Sequence, residues 1–512
     1  MPDMEDLPNV GDRELVVAVV TPSGSPVEPT LKALRDAFER NGYTVEEVRI
    51  SALLDATVPN PPGDENVSRI RRLMDKGDEF RRQFGTDEAC GYMAAQAIYL
   101  ARAKKTGSPS THRDKHVNLV RSLKTPGEVH VLRQIYGQRL ILVGVAGSKE
   151  ERRKELTRQL KSELRKDQVA AEVSMLLDRD EKDEHKKLGQ RGSDAYKLSD
   201  AFVAVVTRQD SQIVDRFVDL LLGEPYQTPT RDEQDMFHAW SMKFRSSAAG
   251  RQVGAAIVDP DGEVVVLGCN DVPRPGGGQY WPGDQDDRRD FQLGHDANDK
   301  GKFGAAENLL SVLAEDGWLI EDKKVLPARE RAIQALEGGP LGRSELADLI
   351  EFGRIVHAEM AALMTAARTG RAVKGCTLYT TTYPCHECAR LIIAAGIKRV
   401  CFVDPYPKSR APELFDGMLD GTHQTGRVLI EPFAGVSPRL FSRLFEMSNR
   451  SKDVHGEYAK WERKQLVVDD EEVADSIPDQ EKAAGAILEA ELGPWLLEQV
   501  DTSTEGGDGH EA

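Results

Sequence analysis

The sequence predicts an α/β protein with two successive α/β domains. In the N-terminal half, apolar strands alternate with helices, as in a mostly parallel, doubly wound sheet. In the C-terminal half, a β-hairpin at 246–266 precedes a helix, strand, helix and strand at 355–403, which predicts an α/β/α domain. The length of 512 residues also favours two or three domains. We therefore expect domains at 1–228 and 229–446, and a helical extension with an acidic, disordered tail at 447–512.

The first elements of the N-terminal domain follow from apolar runs and a glycine. Leu15–Val20 has the composition of a buried strand, residues 30–41 favour a helix that Gly42 ends, and residues 43–48 favour a second strand. These three elements form a βαβ unit. Two later strands and one charged helix are expected at 140–145, 201–206 and 149–166.

The loop after the first strand is a candidate phosphate-binding loop. Ser23, Gly24 and Ser25 lie between a strand and a helix, where backbone N–H groups can cradle a phosphate. A Walker A loop also needs a lysine after its last glycine, and none follows Gly24. Phosphoryl transfer is therefore not expected, whereas nucleotide sensing and a purely structural role both stay open.

The strongest functional signal is a set of three soft zinc ligands. His357 precedes Cys385 by 28 residues, and Cys388 completes a C-x-x-C pair. Three protein ligands leave the fourth zinc position open for water, as catalytic zinc requires. Glu359 is close enough in sequence to move protons at that water. The sequence therefore predicts Zn²⁺ as the cofactor and Glu359 as the catalytic acid–base.

A structural zinc site is the alternative. Cys376 and Cys401 could join the C-x-x-C pair in a four-cysteine cluster. Both lie in or beside predicted strands, however, where a cysteine usually acts as a small buried residue. His386, between the two thiols, is not expected to be a ligand, and a structural cluster has no use for Glu359.

Three further residues are candidate substrate ligands. Asn270 follows the predicted hairpin, whereas Tyr406 and Lys408 follow a strand end, where ligands gather in α/β sheets. Tyr406 could stack on a base, and Lys408 could meet a phosphate. For each of the three, an ordinary surface turn is the alternative.

Composition limits the possible partners. The net charge of −17 is a poor match for a nucleic acid strand, whose binding depends on Lys and Arg at phosphates, so no stable DNA binding is expected. No run approaches the roughly 18 apolar residues of a membrane helix. The first residues lack the basic and apolar regions of a secretory signal, and cysteines are few. These features favour a cytoplasmic protein without membrane association.

The region from about 245 to 445 resembles the deoxycytidylate deaminase branch of the cytidine deaminase superfamily. The resemblance is carried by H-x-E at His357 and Glu359 and by the P-C-x-x-C run at 384–388. The stretches 251–255 and 268–270 also agree. Further stretches are similar to the bacterial antiphage dCTP/dCMP deaminases, which place this domain after a P-loop-kinase-like domain; they lie at 122–129, 133–137, 199–203 and 229–233.

The resemblance implies a P-loop-kinase-like N-terminal domain and a cytidine-deaminase-like α/β/α domain. It implies hydrolytic deamination of free dCTP and/or dCMP to deoxyuridine nucleotides, depletion of dCTP in phage defence, a nucleotide effector at the N-terminal domain, and a homo-oligomer. Asn270 takes the place of an asparagine that contacts the sugar or base. Two alternatives stay open: a polynucleotide cytosine or adenine deaminase, and a non-catalytic, nucleotide-responsive interaction protein with structural zinc.

The stretch 279–353 is longer than a minimal deaminase needs. Acidic and basic residues alternate near its start, which favours a solvated loop. From 328 to 352 the pattern favours a helix that is broken at Gly338, Gly339 and Pro340. Covering the substrate mouth and forming subunit contacts are the alternatives.

Overall fold

The computed structural model describes residues 14–59, 67–182, 189, 191–204, 210–406, 409–420, 426–446, 452, 455–458 and 471–492. Contacts divide the chain into two compact units, Met1–Glu233 with Pro432–Ala512, and Gln234–Glu431. These bounds differ from the expected ones. Residues 432–446 lie in the first unit rather than with the zinc motifs, because a short strand there pairs with Ala201–Ala204. The functional roles expected for the domains remain predictions.

The first unit begins with alternating strands and helices, as predicted. Its elements before the second unit are β1 (Leu15–Val20), α1 (Glu28–Arg40), β2 (Thr44–Arg49), α2 (Ile50–Thr57), α3 (Arg69–Phe84), α4 (Ala89–Thr106), β3 (His116–Leu123), α5 (Pro126–Tyr136), β4 (Leu140–Ala146), α6 (Lys149–Leu160), α7 (Lys166–Lys182), α8 (Gly192–Tyr196), β5 (Ala201–Ala204) and α9 (Asp210–Leu221). The charged helix predicted at 149–166 is confirmed as α6, although it ends at Leu160, and a second helix, α7, begins at Lys166.

The five strands form a parallel sheet in the order β2-β3-β1-β4-β5. Every side chain of the central strand β1 is buried, and helices α1 and α9 contribute apolar side chains to the same core. This is the doubly wound sheet that the alternation predicted. The order places the loop after β1 at the carboxyl edge of the central strand, where open α/β sheets bind ligands.

The second unit contains a six-stranded sheet and the predicted zinc motifs. Its elements are α10 (Arg231–Lys243), β6 (Gly254–Val258), β7 (Val264–Cys269), α11 (Asp290–Leu293), α12 (Ala297–Glu315), α13 (Glu321–Lys324), α14 (Ala328–Leu336), α15 (Ala358–Thr369), β8 (Thr377–Thr382), α16 (His386–Ala394), β9 (Arg399–Asp404), α17 (Ala411–Leu414), β10 (Leu419–Asp420) and β11 (Val428–Pro432). The hairpin and the helix–strand–helix–strand order are confirmed.

Strand directions bring several loops to one edge of this sheet. The order is β10-β11-β9-β8-β6-β7. Strands β8 and β9 are parallel, whereas β6 is antiparallel to both β7 and β8. The ends of β7, β8 and β9 and the start of β6 therefore lie at the same edge, which we call the ligand edge.

The stretch between β7 and α15 contains helices rather than one solvated loop, and the helix predicted from residue 328 is confirmed as α14. Helices α12 and α14 pack around a small apolar cluster of Ala306, Leu310, Ala332 and Ala335. These apolar residues recur at helical spacing between the charged ones, so the stretch folds on its own core. We call residues 279–353 the insertion.

Three elements after the second unit belong to the first. They are β12 (Gly435–Val436), which pairs antiparallel with β5, α18 (Phe441–Phe445) and α19 (Glu471–Leu492). The last helix confirms part of the helical extension expected at 447–512, whereas the acidic tail lies outside the described residues.

Among the residues that the structure describes, no helix combines the length and apolar character needed to cross a bilayer.

Candidate metal centre and substrate site

The three predicted zinc ligands lie at the amino ends of two helices. His357 is the residue immediately before α15, and Cys385 is the residue immediately before α16, whereas Cys388 lies in the first turn of α16. Backbone N–H groups at such ends lack intrahelical partners and favour negative charge. The helices therefore position the ligands and help to stabilise thiolates.

The donor atoms of these residues converge. Nδ1 of His357 lies 3.3 Å from Sγ of Cys385 and 3.4 Å from Sγ of Cys388. All three donors lie within 4.8 Å of one another, and no other such group of three His, Cys, Asp or Glu residues occurs in the described part of the chain. One imidazole and two thiolates suit zinc, and three ligands leave a coordination position for another molecule.

The ligands influence one another's protonation. A hydrogen bond from Cys388 lowers the pKa of the Cys385 thiol to about 4, with a further contribution from His357. The same hydrogen bond raises the pKa of Cys388. The hydrogen bond with Cys385 raises the pKa of His357. The paired thiols thus prefer opposite protonation states, and binding a common cation would remove that conflict.

Glu359 lies beside the ligands and is almost fully buried, with 4% of its surface exposed. Its Oε2 is 3.4 Å from Sγ of Cys388. Burial raises the pKa of its carboxyl group. Gly268 of β7 lets the helix that carries Glu359 lie directly on the sheet, since a Cβ there would be 2.3 Å from the carbonyl oxygen of Ala358.

The four-cysteine alternative is not formed. Cys376 precedes β8 at the opposite end from the ligands, and Cys401 lies within β9. Both are buried and neither belongs to the converging group in the described chain. His386 also lies outside that group, and its Nε2 is 3.9 Å from the carboxylate of Glu387.

Asn270 lies at the ligand edge, but both ends of its amide bind backbone. Its Oδ1 accepts a hydrogen bond from the N–H of Val253 at 2.6 Å, and its Nδ2 donates to the carbonyl of Arg251 at 2.7 Å. The side chain therefore holds the segment that leads into β6. A substrate contact for Asn270 remains a prediction.

Tyr406 lies at the same edge, beside Arg251, which was not among the predicted site residues. Cζ of Arg251 is 5.5 Å from the centroid of the Tyr406 ring, within cation–π range. Arg251 lies just before β6, and Tyr406 lies just after β9. The sequence alone does not bring them together, because their proximity depends on β6 and β9 lying on either side of β8. Lys408, the third predicted substrate ligand, lies outside the described residues.

The loop after β1 contains the other candidate site. The Nζ of Lys124 donates to Oγ of Ser23 at 3.3 Å, and Nε of Arg152 donates to the carbonyl of Ser23 at 2.8 Å. Gly24 has a φ of 82°, and a Cβ there would lie 2.6 Å from a leucine side chain of α6. The hydroxyl of Ser25 is buried without a hydrogen-bond partner in the described chain. No lysine follows Gly24 in the sequence, but Lys124, at the end of β3, reaches the loop.

Residues 229–404 match the family model described as "Cytidine and deoxycytidylate deaminase zinc-binding region". The match contains His357, Glu359, Cys385 and Cys388, so the converging donors coincide with the zinc-binding region of that family. The chain therefore contains a region similar to the zinc-binding region of these deaminases.

The similar proteins include deoxycytidylate deaminases. That of Enterobacteria phage T4 is 30% identical over 117 residues, which cover 22% of this chain and 61% of that protein. That of Homo sapiens is 39% identical over 87 residues, which cover 17% of this chain and 42% of that protein. The chain therefore spans less than two thirds of the length of either relative.

The dCMP deaminase of cyanophage S-TIM5 in complex with dCMP and dUMP aligns with 41% of this chain and 100% of its own, at 19% identity and a TM-score of 0.23.

Proposed function

We propose that the second unit is a zinc-dependent hydrolase that deaminates free deoxycytidine nucleotides to deoxyuridine nucleotides. The observation that carries the proposal is a buried carboxylate, Glu359, 3.4 Å from one of three converging soft donors. A purely structural zinc site has no need of a buried acid–base. The family match over residues 229–404 supports the same chemistry.

Zinc, when bound by His357, Cys385 and Cys388, lowers the pKa of a water to about 7 and so supplies a nucleophile at neutral pH. Glu359 would accept a proton from water and pass it to the ring nitrogen as hydroxide adds to the ring carbon. It would then take the proton of that added hydroxyl and pass it to the amino group, so that the C–N bond breaks, a carbonyl forms and ammonia leaves. Burial of Glu359 suits this role because the raised pKa of its carboxyl group allows it to hold the transferred proton.

We assign recognition of the nucleotide's phosphate to the ligand edge. Arg251 is exposed and its guanidinium lies over Tyr406, while the loop of Tyr406 is tied to the zinc loop by a 2.8 Å hydrogen bond from Oγ of Ser409 to the carbonyl of Pro384. An arginine in this position can bind phosphate oxygens, and the aromatic ring can stack on the base. Asn270 supports the site by fixing the backbone of Arg251.

Extension of the substrate from dCMP to dCTP, and depletion of dCTP in phage defence, rest on the sequence resemblance. A cytoplasmic homo-oligomer belongs to the same proposal. The net charge of −17 favours single nucleotides over polynucleotide substrates.

A nucleotide effector at the loop of Ser23, Gly24 and Ser25 is part of this proposal. Lys124 and Arg152 bring two positive charges to a loop at the carboxyl edge of the sheet. If an effector binds there, Lys124→Ala should abolish the change in deamination rate that added nucleoside triphosphates cause in the wild type, while leaving the rate without effector unchanged. An unaltered response of Lys124→Ala would contradict an effector site at this loop.

The test of the catalytic proposal is ammonia release from dCMP, dCTP and cytosine-containing single-stranded DNA by the full chain loaded with zinc. We expect turnover of nucleotides and none of DNA. Glu359→Gln should lower kcat by about 10²- to 10⁴-fold while the bound zinc and the fold are retained. The exposed Glu413→Gln is the matched control and should keep wild-type activity.

Other outcomes select the alternatives. Turnover of DNA alone would support a polynucleotide deaminase. Zinc-loaded protein that is inactive on every substrate, with or without added nucleotides, would support a structural zinc site. Full activity of Glu359→Gln would contradict the assigned mechanism.

A further inference from the structure

A cleft of about 160 Å³ lies between the insertion and the core of the second unit. One wall comes from the segments that precede β6, follow β7 and precede α15. The other wall comes from the insertion and includes Asp290, Phe291 and His295. The insertion thus encloses space against the elements that carry the zinc site.

The cleft adjoins the zinc ligands through the chain. Ile355, which lines it, lies two residues before His357. Asp271, also in the lining, exchanges backbone hydrogen bonds of 3.3 and 3.1 Å with Val356, the residue immediately before His357. These two links relate the cleft to the segment that positions His357.

The size of the cleft fits part of a nucleotide rather than a whole one. Its volume of about 160 Å³ is smaller than the roughly 300–1,000 Å³ of complete small-molecule sites. If the base lies beside Glu359, the group attached to it is the sugar. A five-membered sugar ring suits this volume.

Asp290 offers a fixed hydrogen-bond acceptor in the cleft. Nη1 of Arg354 donates to its Oδ1 at 2.9 Å, and the aspartate side chain is 15% exposed. No hydrogen bond to its Oδ2 occurs in the described chain. The next residue, Phe291, has 56% of its surface exposed and presents an apolar ring in the same wall. An acceptor beside an apolar ring suits a sugar, which presents a hydroxyl group beside C–H groups.

Two other assignments fit less well. A metal ion is disfavoured because no group of three His, Cys, Asp or Glu donors other than the zinc set converges in the described chain. Asn270 is disfavoured as the sugar's acceptor because its Oδ1 and Nδ2 already bind the backbone of Val253 and Arg251.

We propose that this cleft receives the deoxyribose of the substrate, with Asp290 accepting a hydrogen bond from the 3′-hydroxyl and Phe291 covering the carbon face of the sugar. The insertion is then part of the substrate site and sets selectivity for the sugar. The inference rests on the proposed deamination of deoxycytidine nucleotides.

The experiment compares dCMP with 2′,3′-dideoxycytidine monophosphate, which lacks the 3′-hydroxyl. For the wild type we expect kcat/KM to be about 10- to 100-fold higher with dCMP, as a hydrogen bond to a charged group allows. Asp290→Ala should reduce this ratio to nearly one by losing activity on dCMP only. The exposed Asp299→Ala, on α12 of the same insertion, should keep the wild-type ratio.

Asp290→Asn keeps the shape of the side chain if the alanine variant does not fold. An amide oxygen is a weaker acceptor than a carboxylate, so its ratio should lie between those of the wild type and a value of one. The same ratio in Asp290→Asn and the wild type would overturn the inference. Phe291→Ala should raise KM for both substrates by similar factors, because the apolar face is common to them.

The outcomes separate this inference from the function on which it rests. If the wild type turns over neither substrate, the proposed function has failed. If it turns over dCMP but the ratio is insensitive to Asp290, the deaminase remains and the cleft has another role.

Discussion

The two cysteines of the candidate metal centre differ from the other four cysteines in their position in the fold, not in their burial. All six cysteines are buried, yet only Cys385 and Cys388 follow a strand that ends at the ligand edge and begin a helix. The sequence spacing predicted this pair, because H-x-E and C-x-x-C each keep their residues on one helical turn. Convergence of the two motifs depends on the pairing of β6, β8 and β9.

This difference gives a prediction for single cysteines. Cys388→Ser should lower zinc affinity by more than the roughly 10- to 100-fold that follows loss of an outer-shell partner, because a direct ligand is removed. Zinc content after dialysis, measured by plasma mass spectrometry, tests this. Cys376→Ser removes an equally buried thiol at the other end of β8 and should retain the metal. Equal zinc content in both variants would mean that Cys388 is not a ligand.

At the scale of elements, close contact between α15 and β7 determines where Glu359 lies. Gly268 permits that contact, since a Cβ at this position would approach the carbonyl of Ala358 to 2.3 Å and the N–H of Ala362 to 2.6 Å. These neighbours are backbone atoms of a helix and cannot move aside singly. A larger residue at 268 must therefore displace the whole helix.

We accordingly expect Gly268→Ala to destabilise the second unit by about 1–3 kcal/mol, as overpacking does, and to lower deamination by moving Glu359 relative to the zinc ligands. Urea unfolding and kcat measure the two effects. Gly304→Ala is the control, because a Cβ at this site in α12 meets nothing within 4 Å and alanine favours helices. Unchanged stability and kcat in Gly268→Ala would show that α15 does not depend on this contact.

Most helices and strands near the site could be predicted from the sequence. The contacts between residues far apart in the chain could not. The strand at Thr377–Thr382 and both ligand helices follow from β-branched runs, helix-forming residues and glycine or proline boundaries. The pair Arg251 and Tyr406 has no local signal, because 155 positions separate the two residues and sheet order alone brings them together. In the insertion, the helix from residue 328 was predicted, whereas α12 was not, because the apolar cluster that the two helices share is small.

At the scale of the molecule, the first unit joins distant parts of the chain through buried charges. Nε of Arg102 donates to Glu14 at 2.6 Å, and its Nη2 donates to Glu481 of α19 at 2.9 Å. Arg102 is 1% exposed and Glu481 is fully buried. Such a network specifies one arrangement of its partners, since each buried charge left unpaired is strongly destabilising. No local sequence pattern predicts this network.

The same network should make the first unit sensitive to acid. Burial alone would raise the pKa of Glu14, but the charges of Arg102 and Arg113 outweigh burial and lower it from 4.5 to about 2. Burial, with the charge of Arg113, lowers the pKa of His116 from 6.5 to about 4. Its Nδ1 lies 2.7 Å from Oγ1 of Thr44, while its Nε2 is buried without a hydrogen-bond partner in the described chain.

Both shifts act in the same direction. As the pH falls from 6.5 to 4, the unfolded chain protonates His116 before the folded chain does, so stability is lost across that window; Glu14 adds a second loss between pH 4.5 and 2. His116→Gln should therefore reduce the slope of the free energy of unfolding against pH between pH 6.5 and 4. One group contributes at most about 1.4 kcal/mol per pH unit to that slope. Urea titrations from pH 7 to 4, with protection of the β3 peptide from a hydrogen-exchange pulse as the probe, measure this slope. The exposed His130→Gln in α5 should keep the wild-type slope, and an equal slope in His116→Gln would show that His116 does not control the acid response.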